Sequence, residues 1–314
     1  MWKGFATAKG RPGRPMTGFS AHVKFAVLLG VSLLAGWRPL VETFHLALNN
    51  EEYTHILLIL PLAVALISLD RHMLDLASRT GSRMGVALLV ASTAAAALAR
   101  WTPGPHADVR LSLAVLALII WWIGAFVLCY GSQVSRSLRF PLGFLLWMVP
   151  FPALVLDRII QLLQRGSAFS ARLLFESARV PVAQDGLLLS IPGVTLEVAK
   201  ECSSIRSSMM LLVTTMVVAQ LFLRSPGRKL LVIAVAIPLT VAKNGLRIFT
   251  IGMLGTRVDP AYMTGSFHHQ GGVIFLAIAL GVVFLLLWIL RRGEEQPPGP
   301  SRLNSVRVVK PTPG

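Results

Sequence analysis

Lys200-Glu201-Cys202-Ser203-Ser204-Ile205-Arg206-Ser207-Ser208 is a polar island set directly against an uncharged apolar run at 209–223. A run of that character, taken with the residues leading into it, is long enough to cross a hydrocarbon core, so the island stands where a membrane span meets water. Two further islands touch apolar runs in the same way: Lys243-Asn244-Gly245-Leu246-Arg247 and Ser266-Phe267-His268-His269-Gln270-Gly271-Gly272. A thiol, a guanidinium and an imidazole at three such borders call for one explanation.

The rest of the chain supports the membrane reading. Of 314 residues, 54% are hydrophobic and only 14% charged, with a mean hydropathy of +0.67, too apolar for a soluble domain of this size. The net charge of +16 would suggest a nucleic-acid binder in a soluble chain. Here the basic residues punctuate apolar segments as they do in cytoplasmic loops, so no nucleic-acid partner is expected and the partner is the lipid bilayer. Two cysteines cannot build a disulfide framework, and Cys129, inside an apolar run, reads as a small buried hydrophobe.

The expected fold is all-α: a polytopic membrane helical bundle of about eight transmembrane helices, at roughly 24–40, 54–69, 85–100, 111–130, 140–157, 204–223, 230–254 and 272–290. Residues 1–23 form a basic cytoplasmic segment that reads as an uncleaved anchor, 24–290 the membrane-embedded domain, and 291–314 a Pro-rich cytoplasmic tail expected to be disordered. Small Ala and Ser residues in span three suit close helix packing in lipid. Between spans five and six, 158–179 places apolar residues at helical spacing and reads as an interfacial amphipathic helix. From 180 to 198, short β-prone pieces split by Asp185-Gly186 and Pro192-Gly193 form a small extended lip leading into Cys202.

The positive-inside rule places both termini in the cytoplasm, with the loops holding Arg71, Arg79 and Arg83, Arg136 and Arg139, and Arg224, Arg228 and Lys229. Cys202 then precedes a span running outside to inside. Arg247 lies about 27 Å of helical rise into a span running the other way, at ~1.5 Å per residue. His268 and His269 precede the last span at its outer end. Cys129 falls at the inner end of span four, so a Cys129–Cys202 disulfide would have to cross the bilayer. Spans six to eight are consecutive and therefore expected to be neighbours, which brings thiol, guanidinium and imidazole to one outer pocket.

That set suits acyl transfer. A cation beside Cys202 favours its thiolate; Arg247 stays charged and can bond a developing oxyanion; His268 or His269 can move the proton. An ionisable residue inside a span, as Arg247 is, is a functional candidate by default. Asn244, about one turn below Arg247, can hold its guanidinium, while Tyr53 and His55 at the outer face either orient substrate or belong to an interfacial aromatic belt. Arg206 and Lys243 read as snorkelling anchors or lipid-phosphate contacts, with Arg206 and Ser203 also standing beside the thiol as supporting residues. The paired histidines lack a third ligand of suitable spacing, so neither a metal nor another cofactor is called for. The rival readings are a transporter or channel for an anionic polysaccharide or lipid intermediate, and a structural scaffold subunit.

From Tyr53-Thr54-His55 to Gly272 the chain resembles the exosortase/archaeosortase family of integral membrane transpeptidases. The resemblance lies in Phe140-Pro141-Leu142, Met148-Val149-Pro150-Phe151-Pro152, Ile191-Pro192-Gly193-Val194-Thr195-Leu196-Glu197-Val198 leading to Cys202-Ser203-Ser204-Ile205-Arg206, Asn244-Gly245-Leu246-Arg247, and His268-His269-Gln270-Gly271-Gly272. It implies that Cys202 is the nucleophile, Arg247 the catalytic arginine and His268 or His269 the histidine, His268 being favoured by its spacing to Gly272. It also implies a bacterial inner-membrane enzyme with its site at the outer face. Its partners would be a membrane protein substrate ending in a sorting signal (a short motif such as Pro-Glu-Pro, a transmembrane helix, a basic cluster) and a cell-surface acceptor. Ser204 departs from the pattern, standing where the family often has glycine.

Overall fold

A computed structural model describes residues 17–76, 83–101, 107–198, 205–259 and 272–295. The chain divides into two compact units, Met1–Leu156 and Asp157–Gly314.

The first unit is built on α4 (Arg83–Trp101) and α5 (Ala107–Ser137), the most extensively paired helices of the molecule. Their closeness depends on missing side chains: a Cβ at Gly85 would lie 2.7 Å from Leu128 N, and one at Gly124 3.0 Å from Leu88 Cβ. Of the Ala and Ser residues expected to let span three pack tightly, Ser92 and Ala99 are buried while most of the alanines face outward; Ser92 Oγ donates to Ala117 O across the pair at 2.8 Å. Against α5 lies α1 (Thr17–Ala35), held where Trp121 Nε1 donates to Leu28 O at 3.1 Å and Trp122 Nε1 to Ser32 Oγ at 2.9 Å. Such internal bonds matter in lipid, where no water replaces them. After Tyr130, Gly131 takes φ 86°, a conformation glycine reaches without penalty, and kinks α5 at the point where the sequence ends span four.

Two boundaries differ from the sequence reading. Span one, expected as one helix over 24–40, is broken at Gly36, where α1 and α2 (Trp37–Asn49) bend by 73°. Span five, expected at 140–157, is broken at 149–152: the chain bends by 97° between the Arg139–Met148 segment, which contains α6 (Arg139–Phe144), and α7 (Ala153–Ser177). Pro150 and Pro152 cannot donate backbone bonds, and the residue before each proline avoids helical angles, so the break falls here and not at 157. The loop is pinned by side chains: Tyr53 Oη donates to Phe151 O at 2.9 Å, Ser112 Oγ to Pro150 O at 2.7 Å, and Ala153 N–H to Asp108 Oδ2 at 2.8 Å. Among the described residues six helices are long and apolar enough to cross a membrane, or up to eight if each bent pair counts as one span. The fold is thus an all-α polytopic bundle.

In the second unit α7 presents Ile160, Gln164, Ser167, Ala168, Ala171 and Phe175 as one buried face at helical spacing. The segment read as an interfacial helix from 158 is part of this longer helix, continuous from Ala153. Beyond it three short antiparallel strands, β1 (Ala183–Asp185), β2 (Leu188–Ile191) and β3 (Val194–Glu197), form a meander whose turns use Gly186 at φ 57° and Gly193 at φ 90°. Leu189 and Ile191 of β2 bury against Ala168, Ala171 and Phe175 of α7 and Ile248 of α9 (Pro226–Arg257). The remaining helices, α8 (Ile205–Phe222), α9 and α10 (Gly272–Glu295), pack pairwise around Leu211, Ala219, Val232, Ala279, Val283 and Leu287. The three spans that border the polar islands are therefore neighbours.

Candidate functional site

One helix carries the site's described core. Lys243, Asn244 and Arg247 lie on one side of α9 at spacings of one and three residues, and they are only 5%, 1% and 6% exposed. Measured from Pro226 at ~1.5 Å per residue, Lys243 stands ~25 Å and Arg247 ~31 Å along the helix, most of the thickness of a hydrocarbon core. Two cations buried one turn apart are costly in such a setting, and they repel one another, so the surroundings must supply polar partners.

The polar lining of this face includes residues of α7 and α8. Asn244 Nδ2 donates to Ser167 Oγ at 2.9 Å, and the Lys243 ammonium donates to the Ser207 hydroxyl on the first turn of α8. The approach of α7 to α9 depends on Gly245, where a Cβ would lie 2.4 Å from Ser170 Oγ and 3.0 Å from the backbone nitrogen of Ala171. Gly252 serves the sheet likewise: a Cβ there would meet Leu196 Cδ1 at 2.7 Å and Phe175 Cζ at 2.9 Å. Sequence and packing thus fix the face of α9 from both sides.

The same face of α7 reaches the strand that leads toward Cys202. Gln164 Nε2, one turn from Ser167, donates to Val198 O at 2.8 Å, while Val198 N–H donates to Leu187 O at 3.0 Å and extends the β2–β3 ladder by one residue. Val198 is buried in the cluster that holds Ile248, the residue after Arg247. On the far side of the 199–204 segment the chain resumes at buried Ile205. Two buried polar atoms here, Asn244 Oδ1 and Ser208 Oγ, have no hydrogen-bond partner among the described residues, which leaves an acceptor and a hydroxyl for something else.

Of the residues singled out from sequence, Asn244 and Arg247 come together on α9, and Arg206 stands exposed on the first turn of α8. Cys202, Ser203, His268 and His269 lie outside the described residues. His55 belongs to the first unit, where it precedes α3 (Ile56–Leu69); it is 1% exposed, and Tyr53 beside it is buried with its hydroxyl bonded to Phe151. Neither is an exposed belt residue. Lys243 overturns the reading given from sequence: it does not snorkel to an interface but is buried and bonded across to α8. Gln164 and Ser167 were not singled out at all; the signal is two polar residues three apart on the face of α7 that is otherwise Ile160, Ala168 and Ala171.

A bundle of membrane helices with a buried, cationic, polar-lined locus on one span defines the class, a multi-pass integral membrane protein. A family model described as transmembrane exosortase matches residues 47–285, well over half of the chain. The chain belongs to the transmembrane exosortase family. No curated protein and no solved structure matches it.

Proposed function

We infer that this protein is a membrane-embedded cysteine protease or transpeptidase that cleaves C-terminal sorting signals at the outer face of the plasma membrane, with both termini in the cytoplasm. The observation that carries the reading is the burial of Arg247 beside Asn244, on a face tied through Ser167 and Gln164 of α7 to Val198, where the chain enters the Cys202 segment. Four residues of chain extend at most ~14 Å and three at most ~11 Å, so covalent geometry keeps Cys202 within those distances of Val198 and Ile205 at Cα. The thiol is tethered on both sides to elements that touch the arginine-bearing helix.

In the reaction, the Cys202 thiolate attacks a peptide carbonyl carbon in the substrate. A C–S bond forms as the carbonyl oxygen gains the negative charge, which the Arg247 guanidinium bonds in a water-poor setting. Collapse breaks the C–N bond, and the imidazolium of His268 or His269 gives its proton to the departing amine. The resulting thioester is opened by an acceptor amine or hydroxyl, whose proton returns to the imidazole as the thiolate leaves. Water in the acceptor's place gives hydrolysis. Asn244 keeps the face of α9 in register with α7, and Arg206 and Ser203 border the nucleophile. The substrate suited to such a site is a membrane protein with a short motif, one apolar helix and a basic tail, lying laterally against the spans; the acceptor is a cell-surface polysaccharide or lipid. The catalytic domain spans about 24–290.

The test is coexpression of the full chain with a tripartite substrate, followed by size analysis of the substrate and mass analysis of Cys202. Wild type releases the basic tail fragment and carries a thioester adduct on Cys202. Unchanged processing by Cys202→Ala removes the cysteine mechanism and favours a transport role.

A further inference from the structure

The turn between α8 and α9 and the C-terminal end of α10 are fastened together. The Glu294 carboxylate accepts from the Arg224 N–H at 2.9 Å and the Ser225 N–H at 2.8 Å, and the Arg228 guanidinium donates to Leu290 O at 2.6 Å and Gly293 O at 3.1 Å. Arg224, Arg228, Lys229, Arg291 and Arg292 are thereby gathered at one end of the second unit. Glu294 spends both carboxylate oxygens on backbone amides, and its approach to the Arg228 guanidinium is 4.0 Å, so this end of the bundle remains strongly positive.

Beside that positive end a groove of about 300 Å³ opens, lined by Phe222 of α8 and Phe284, Leu287, Trp288 and Arg291 of α10. Its aromatic walls face outward: Phe222, Phe284 and Trp288 are each close to half exposed. The Arg291 guanidinium sits 5.9 Å from the centre of the Phe222 ring, and that of Arg292 3.6 Å from the Trp288 ring. Apolar aromatic surface therefore passes directly into guanidinium groups at the end of a span.

We propose that this groove binds an anionic phospholipid, with part of one acyl chain against Phe222, Phe284, Leu287 and Trp288 and the phosphate held by Arg291 and by Arg224, two residues beyond Phe222. The volume lies at the bottom of the range for small-ligand sites, roughly 300–1,000 Å³, enough for a segment of chain whose remainder stays in the bilayer. Guanidinium forks suit phosphate oxygens, and basic clusters at span ends draw anionic headgroups. A second copy of this chain laid in parallel on the groove would bring the same cations against each other, which charge repulsion opposes. Leu287, Trp288, Arg291 and Arg292 lie beyond residues 47–285, so the family match covers only the Phe222, Arg224 and Phe284 side of this site.

Trp288 in the wall supplies the readout. The full chain is reconstituted in vesicles of phosphatidylcholine containing increasing mole fractions of brominated phosphatidylglycerol or of brominated phosphatidylcholine. Tryptophan quenching is measured for wild type and for Trp288→Phe, the difference isolating Trp288. At roughly fivefold per cation, two arginines predict half-maximal quenching of Trp288 at about a 25-fold lower mole fraction of the anionic lipid. Arg224→Gln or Arg291→Gln is expected to cut that preference about fivefold, and the double variant to leave only the weaker attraction of Arg228, Lys229 and Arg292. Should the variants fail to reconstitute, ~1 M salt on wild type serves instead and is expected to reduce the preference by screening. Equal quenching by the two headgroups overturns the proposal. So does absence of quenching by either lipid, which would mean that protein covers the groove.

Discussion

The N-terminal end and the middle of α9 handle cations in opposite ways. At its N-terminal end Arg228 is partly exposed, bonds two main-chain carbonyls of α10 and stands near a carboxylate, so its charge is spread over a surface latch. About four and five turns on, Lys243 and Arg247 are almost fully buried, and the face they share with Asn244 bonds the hydroxyls of Ser207 and Ser167. The residue types are the same. Depth and partners separate a cation that fastens helix ends from one held inside the membrane at a desolvation cost, which makes the buried pair the functional candidates.

The sharpest way to break this contrast is to remove the proposed nucleophile and the buried arginine in turn. Cys202→Ala is expected to lower substrate cleavage by at least ~10³-fold with no change in thermal unfolding, as loss of the attacking group requires. Arg247→Gln is expected to cost ~10²–10³-fold in cleavage rate, the usual magnitude for a lost oxyanion donor, while Arg228→Gln leaves the rate unchanged. Arg247→Lys keeps the charge but loses the fork, and an intermediate rate is expected. Equal loss from Arg228→Gln and Arg247→Gln in single-turnover cleavage would erase the distinction between the two levels of the helix.

Packing gives the next effect in size. Gly245→Ala sets a methyl against Ser170 Oγ and the backbone of α7, so α7 and α9 must separate, at about 1–3 kcal/mol. The expected signature is a lowered unfolding temperature together with slower cleavage, because Asn244 and Arg247 ride on the displaced helix. Gly166→Ala, on the same helix pair, meets only the movable side chain of Val241 at 3.0 Å and is expected to shift unfolding less.

How much of this was readable beforehand follows from the same distinctions. The spans were legible because lipid demands long apolar runs, and Arg247 was legible because a guanidinium within one is rare. The turns of the small sheet were legible too: Asp185-Gly186 and Pro192-Gly193 mark where the backbone must enter the left-handed region, as Gly186 and Gly193 do. The break at 149–152 was hidden because Met148-Val149-Pro150-Phe151-Pro152 is as apolar as the helices around it; only the side chains of Tyr53, Ser112 and Asp108, distant in sequence, make it a stable loop. Lys243 was misread for a related reason. The long stem of a lysine suggests snorkelling unless a neighbouring helix offers a partner, and Ser207 lies on another helix altogether.

Lys243 also gives the smallest and most informative contrast. Replacing a buried ammonium by an apolar side chain of similar length removes a desolvation cost along with one hydrogen bond to a hydroxyl, and such exchanges are often neutral or stabilising. Lys243→Met is therefore expected to leave the unfolding temperature unchanged or slightly raised, and at the other end Glu294→Gln is expected to lower it slightly by weakening the grip on the Arg224 and Ser225 amides. Cleavage kinetics complete the comparison: if the buried cation acts in substrate handling, Lys243→Met slows processing by roughly tenfold, about 1.4 kcal/mol at the transition state, while Glu294→Gln does not. A Lys243→Met protein that is less stable and fully active would make Lys243 a structural fastener like Arg228, and would confine the functional charge of α9 to Arg247.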